Sequence, residues 1–187
     1  MDTHRELHLY YRDGHSRLEV TDSDKQTVLY TVHRASSKPH LTIFRAPTPY
    51  GRGFIIAQVS FHHFSSAINL DIPAPVPPLA MRRASTLSSN YEVHGRDINW
   101  RWERDGALTS NIRLVDCAGG GVLARFENAS FSTKKQGTLT VWGRPSWEVL
   151  DAIIITGLAK VEYQRRSAAA VAGGLNAASL TAASQVG

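Results

Sequence analysis

Ser146 to Arg166 reads SWEVLDAIIITGLAKVEYQRR, and its middle decides the architecture. From Val149 to Ala159 the segment is apolar on nearly every face, interrupted by Asp151 and Thr156. A helix that is apolar all round is buried all round. A bilayer span needs roughly 20 apolar residues in a row, and this stretch is shorter and more broken. It is therefore expected inside the protein. Ser146 suits an N-cap, with Glu148 and Asp151 near the positive end of the helix dipole and Lys160, Arg165 and Arg166 toward the negative end.

The chain before this helix reads as strands. Leu7, Leu9 and Tyr11 alternate with polar neighbours. Gln26–His33, His40–Arg45, Gly53–Phe61 and Ala67–Ile72 are short runs rich in β-branched and aromatic residues, bounded by Gly, Pro, Asp and Ser. Pro73 to Pro78, PAPVPP, cannot donate ladder hydrogen bonds and predicts an exposed connector. A second group starts near Tyr91. Asp97–Glu103, DINWRWE, puts Ile98, Trp100 and Trp102 on one face and Asn99, Arg101 and Glu103 on the other, the cleanest alternation in the chain. Arg104–Gly106 predicts a turn, Leu108–Val115 a strand, Ala118–Gly121 a turn and Val122–Phe126 a strand. Lys134–Gly137 predicts a last turn before a strand at Thr138–Trp142. With roughly a dozen strands and a turn every 8–12 residues, the chain predicts a barrel or sandwich. A sheet wrapped around the one buried helix satisfies both signals.

The domain spans residues 1–166, with residues 167–187 as an Ala/Ser-rich tail. That tail has no charged residue and little large apolar surface, which predicts disorder or a frayed continuation of the helix.

The net charge of +5 is unevenly spread: −2 over residues 1–33, +5 over 34–104 and +2 over 105–166. A basic middle suits an anionic partner. Arg82, Arg83, Lys134 and Lys135 are the candidates for contact with lipid headgroups. Arg82-Arg-Ala-Ser85 also fits the pattern of a basophilic kinase site, which makes Ser85 a candidate phosphosite. The one cysteine, Cys117, excludes an intramolecular disulfide and suits a reducing compartment. The N-terminus has no apolar run of a signal peptide. Asn128-Ala-Ser130 matches a glycosylation sequon, without use in a cytoplasmic protein.

Catalytic and metal signals are weak. His62 and His63 point to opposite faces if they lie on a strand, so they do not converge on one ion. No Cys/His spacing, nucleophile elbow, P-loop or dinucleotide fingerprint is present. Neither a metal nor a cofactor is expected. Trp100 and Trp102 beside Arg101 could stack on nucleic acid, but strict alternation is what a half-buried strand shows, so nucleic acid is not expected.

Gly53-Phe-Ile-Ile-Ala57, the stretch Tyr91–Trp102 and the helix Trp147–Tyr163 follow one another in an order that resembles the tubby C-terminal-like superfamily, which includes tubby proteins, phospholipid scramblases and LURP-one-related proteins. Within it the chain is most similar to a group of small fungal proteins. The likeness covers about residues 5–166 and is one of pattern and order. It implies a twelve-stranded closed β-barrel enclosing a hydrophobic C-terminal helix. It also implies a non-enzymatic module that binds anionic phospholipid or phosphoinositide at a membrane surface, in the cytoplasm or peripheral to membranes. A protein-interaction or scaffold module without lipid contact is the alternative. A single cysteine leaves no counterpart of the acylated, cysteine-rich segment of scramblases.

Overall fold

The protein is described by a computed structural model covering residues 3–47, 53–62, 65–107, 109–129 and 132–183, with helical side-chain surroundings described as far as Ala172. The strands are β1 (His4–Arg12), β2 (Arg17–Thr21), β3 (Val28–Arg34), β4 (Leu41–Arg45), β5 (Phe54–His62) and β6 (Ser65–Asp71), then β7 (Leu79–Arg83), β8 (Tyr91–Gly95), β9 (Ile98–Arg104), β10 (Ile112–Asp116), β11 (Val122–Asn128) and β12 (Lys135–Trp142). A single 3-10 turn at Asp13–His15 joins β1 to β2, and helix α1 runs from Trp147 to Ala183.

All twelve strands form one sheet in the order β6-β5-β4-β3-β2-β1-β12-β11-β10-β9-β8-β7. Ladder hydrogen bonds stop at β6 and β7. These two edges lie side by side along a shallow groove lined by both strands. Across this seam the Tyr91 hydroxyl of β8 donates to the Ser66 carbonyl of β6 at 2.7 Å. The expected closed barrel is thus nearly closed, with one seam.

The helix fills the lumen. Every residue from Leu150 to Glu162 is buried. The wall reaches it from several sides, through Tyr30 and Arg34 of β3, Arg45 of β4, Phe61 of β5, Tyr91 of β8 and Trp102 of β9. Inward residues such as Leu7, Leu9, Ile43, Val59, Val93, Leu114 and Val141 complete one continuous core with it. Trp100 and Trp102 are buried as their alternation predicts, while Arg101 pairs with Glu103 nearer the surface. Ser146 opens the helix: its carbonyl accepts from the Leu150 N–H at 2.9 Å, and its hydroxyl from the Val149 N–H at 3.4 Å.

Four readings change. Strands β2 and β7 are not expected from the sequence: RLEVT alternates, but over only five residues with two apolar ones, and LAMRR carries little alternation at all. Lys135–Gly137, expected in a turn, belongs to β12. A Cβ at Gly137 would stand 2.4 Å from the Glu127 carbonyl oxygen, so this glycine serves a close strand contact and not a turn. Within the Pro-rich connector Val76 is buried, anchoring an otherwise exposed loop. Helix α1 continues past Arg166, so Lys160, Arg165 and Arg166 are not at its end and do not serve as dipole partners; Ser167–Ala172 are helical and exposed. His63, Leu108 and Ser130 lie outside the described residues.

Two substitutions test this packing. Ile154 is 1% exposed. Ile154→Asp puts a carboxylate into a dry interior, at a cost of several kcal/mol, comparable to the stability of a whole domain. It is expected to yield insoluble or unfolded protein, as is truncation after Pro145; a soluble 1–145 fragment with native-like β circular dichroism would overturn the central-helix arrangement. Gly157 offers a subtler case. Alanine in a helix interior usually gains about 1 kcal/mol over glycine. At Gly157 the added Cβ would stand 3.0 Å from Cζ2 of Trp102, a ring that is fully buried and tied to Thr156. Gly157→Ala is expected to lower Tm in a thermal melt.

Candidate anion-binding site

A helix buried on every face must find a partner for each polar group it carries. Asp151 accepts from the Tyr30 hydroxyl at 2.9 Å and from Arg45 Nε at 3.2 Å, and its other oxygen is paired with the same guanidinium. Thr156 accepts from the Trp102 indole at 2.9 Å and donates to the Ala152 carbonyl at 2.7 Å. Glu162 is held by three guanidiniums: Arg34 at 3.0 Å, Arg165 at 2.7 Å and Arg166 at 2.8 Å. Burial alone would raise its pKa, but these hydrogen bonds and charges outweigh it and hold the carboxyl below the usual glutamate range.

Lys160 is the exception. Its side chain is 2% exposed, yet among the described residues no carboxylate pairs with it. The ammonium donates to the Ser89 carbonyl and sits over the Tyr91 ring, 4.5 Å from its centroid. Burial, followed by the positive charges of Arg83 and Arg104, lowers its pKa to about 8. All three cations line one cavity of about 570 Å³ at the mouth of the barrel where the helix leaves it. Ser89, Thr109, Ser110 and Gln164 add hydrogen-bonding groups, and Tyr91 and Tyr163 add ring surface. Arg83 is held by the Ser88 carbonyl, and Arg104 by the Ala107 carbonyl at 3.3 Å. Asp105, adjacent to Arg104 in the chain, is taken by Arg125 at 2.9 Å. Three cations converging without a carboxylate leave a site that an anion would complete.

The structure separates the lysines and arginines singled out from the sequence. Arg83 follows Met81 on the inward side of β7 and lines the cavity; Arg82 lies on the opposite face, at the seam. Lys135 lines a neighbouring hollow with Tyr11 and Arg165, and that hollow shares Ser110 and Gln164 with the Lys160 cavity. Lys134 is exposed, and its carbonyl accepts from the Tyr11 N–H. Ser85 is exposed in the loop from Ala84 to Asn90, which also supplies Ser88 and Ser89. Sequence reasoning did not find Lys160 and Arg104: one looks like a helix-end base, the other like part of a turn. The signal that could have found Lys160 is a charged residue immediately after the all-round apolar stretch, in the same helix.

Among the described residues no group of three or more His, Cys, Asp or Glu side chains could hold a metal ion, and no helix is long and apolar enough to cross a membrane. Cys117 is exposed and unpaired as a disulfide. The Asn128 side chain donates to the Ser110 carbonyl at 2.9 Å, which engages the sequon nitrogen internally. Comparison with protein-family models, curated proteins and solved structures gives no match.

If Lys160 is held for binding, replacing it with an apolar residue of similar length should stabilise the fold. A drop from 10.5 to about 8 corresponds to roughly 3 kcal/mol of destabilisation. The native state releases this proton more readily than the unfolded chain, so the penalty is complete below pH 8 and is relieved as pH rises toward 10.5. Lys160→Met is expected to raise Tm at pH 7 and to flatten the rise in stability between pH 8 and 10.5, as read by thermal melts across pH.

Proposed function

We propose that this protein is a non-enzymatic binding module that takes a phosphate-bearing anion at the Lys160 mouth, with an anionic phospholipid headgroup at a cytoplasmic membrane surface as the ligand. The observation that carries this is a buried, carboxylate-free lysine between two arginines in an open cavity. Burying an ammonium without a counter-charge lowers stability, and a bound anion would return that energy. The flanking basic residues, Lys135, Arg165 and Arg166 with Arg82 on the outer face, supply a wider positive rim of the kind that draws a protein to an anionic surface. The resemblance to the tubby C-terminal-like superfamily points the same way, toward phospholipid or phosphoinositide. The posture of Lys160, donating to a carbonyl and a ring face, suits an anion ligand better than a nucleophile.

A protein-interaction role is the second reading. It is favoured by a small hollow of about 210 Å³ at the opposite mouth, where Val76, Leu79, Ile98 and Trp100 meet Val149 and Ala152 inside a polar rim.

Co-sedimentation with phosphatidylcholine vesicles, with and without phosphatidylserine or phosphoinositide, tests the lipid reading. Binding is expected only with the anionic lipid. It should weaken as salt shortens the screening length to about 8 Å at physiological ionic strength. Arg82→Glu with Arg83→Glu should reduce it about tenfold or more, and Lys160→Met should reduce it while leaving the protein folded. Equal binding by wild type and these variants would remove the residues from the site. No binding by wild type to any anionic vesicle would leave the interaction-module reading.

A further inference from the structure

Strand β7 ends in Arg82-Arg83, and two residues later Ser85 stands exposed at the start of a loop. Arginines two and three residues before a serine are what an Arg-directed serine kinase selects, because its acidic pocket takes both guanidiniums while the peptide lies extended. The fold presents this segment well. β7 is hydrogen-bonded to β8 alone, so its other edge is free of ladder bonds. Beyond the Ala84 N–H, which donates to the Asn90 carbonyl at 3.0 Å, the loop closes on itself through one turn, Ser88 N–H to Ser85 carbonyl at 3.2 Å. Leu87 is 97% exposed, so nothing packs over the tip. Peeling away Ser85–Ser88 breaks that turn, the Arg83 contact with the Ser88 carbonyl and the Asn90 N–H bond to the Ser88 hydroxyl, and uncovers no core.

The same loop is a wall of the anion site. Ser88 and Ser89 carbonyls hold Arg83 and Lys160. The turn brings the Cα atoms of Ser85 and Ser88 within about 7 Å, and one more residue, about 3.8 Å, leads to Ser89. The Cα atoms of Ser85 and Ser89 are therefore at most about 11 Å apart, and since the Ser88 and Ser89 carbonyls hold Arg83 and Lys160, a phosphate on Ser85 sits on the same short loop as this cluster. We infer that Ser85 is a phosphorylation site and that its phosphate, drawn to the Arg83–Lys160–Arg104 cluster, switches off anion binding at this mouth. The second half rests on the anion-binding role proposed above. The modification transfers the terminal phosphoryl group of a nucleoside triphosphate: the bond from that phosphorus to the diphosphate leaving group breaks, the Ser85 Oγ–phosphorus bond forms, and the hydroxyl proton is released. The product adds about −1.5 to −2 charges at pH 7. It acts as a built-in competitor for the cations and as a like charge against any anionic surface.

The full chain, treated with an Arg-directed serine kinase and ATP and mapped by peptide mass spectrometry, is expected to carry phosphate on Ser85. Ser85→Ala should carry none there, and Arg82→Ala should be modified more slowly. No phosphate on Ser85, or phosphate only on Thr86 or elsewhere, overturns the site. The unmodified and phosphorylated proteins are then compared on phosphatidylcholine vesicles containing phosphatidylserine. Binding should weaken about fivefold or more on phosphorylation, and Ser85→Ala should bind as the unmodified wild type does, whether or not it has met the kinase. Unchanged binding overturns the switch. A readout free of lipid separates this from failure of the binding role itself. In 15N-lysine-labelled protein, the titration midpoint of Lys160 should move upward from about 8 once Ser85 is phosphorylated. An unmoved midpoint overturns the contact. A wild type that binds no vesicle, yet shows the Lys160 shift, refutes the lipid reading and the switch built on it, and keeps the contact between the Ser85 phosphate and the cluster.

Discussion

A helix buried on all sides has no solvent face to hold its polar groups, and most of this structure follows from that. Leu150–Glu162 needs cover around its whole circumference, which one flat sheet cannot give. Twelve strands curled almost into a cylinder can, with inward residues filling the space between wall and helix. The helix in turn occupies the lumen, so the barrel is a packed core and not a pore. The arrangement also sets where charge can sit. Asp151, Thr156, Lys160 and Glu162 lie on a buried helix, and each must be met by the wall.

How each is met separates structure from function. Asp151 and Glu162 are answered by arginines from β3, β4 and α1 itself, and the Thr156 hydroxyl by an indole and a carbonyl. These are complete solutions in the sense that donors and acceptors match. Lys160 is met by a carbonyl and a ring face, and its nearest charged neighbours are cations. A methionine there would fill the same volume without the penalty. A buried ion kept among like charges points to something outside the chain that supplies the missing sign. That logic, more than the overall charge of +5, singles out one mouth of the barrel.

Much of the fold was legible because its strongest signals are periodic. Period-2 alternation in DINWRWE and the all-round apolar helix needed no tertiary information. Strand β7 was not legible: LAMRR has one buried residue, Met81, and its partner β8 lies beyond a seven-residue loop, so nothing local marks it as a strand. Gly137 shows the same limit from the other side. Its turn-like context, KKQG, masks a requirement set by the Glu127 carbonyl on the adjacent strand. The site was half legible for the same reason. Arg83 stood out by its neighbour Arg82, but Lys160 and Arg104 are far apart in sequence and meet it only through the barrel's closure.

Closure itself is incomplete beside the proposed site. Ten of the twelve strands have two hydrogen-bonded neighbours, and β6 and β7 have one each. An edge with free N–H and carbonyl groups is a liability in a β protein, and charged side chains on it are one of the usual protections against unwanted pairing. Arg82 and Arg83 provide that protection on β7. They also direct positive charge to the mouth and to the groove beside it. One of the two edge strands is thus the one whose end and following loop line the proposed anion site. This follows from stability being uneven across a fold: a segment that must meet a surface, or be peeled for modification, is drawn from the part whose opening disturbs the fewest buried contacts. The core around α1 can remain rigid while the β7–β8 corner responds, because Met81 is the only buried residue that β7 contributes.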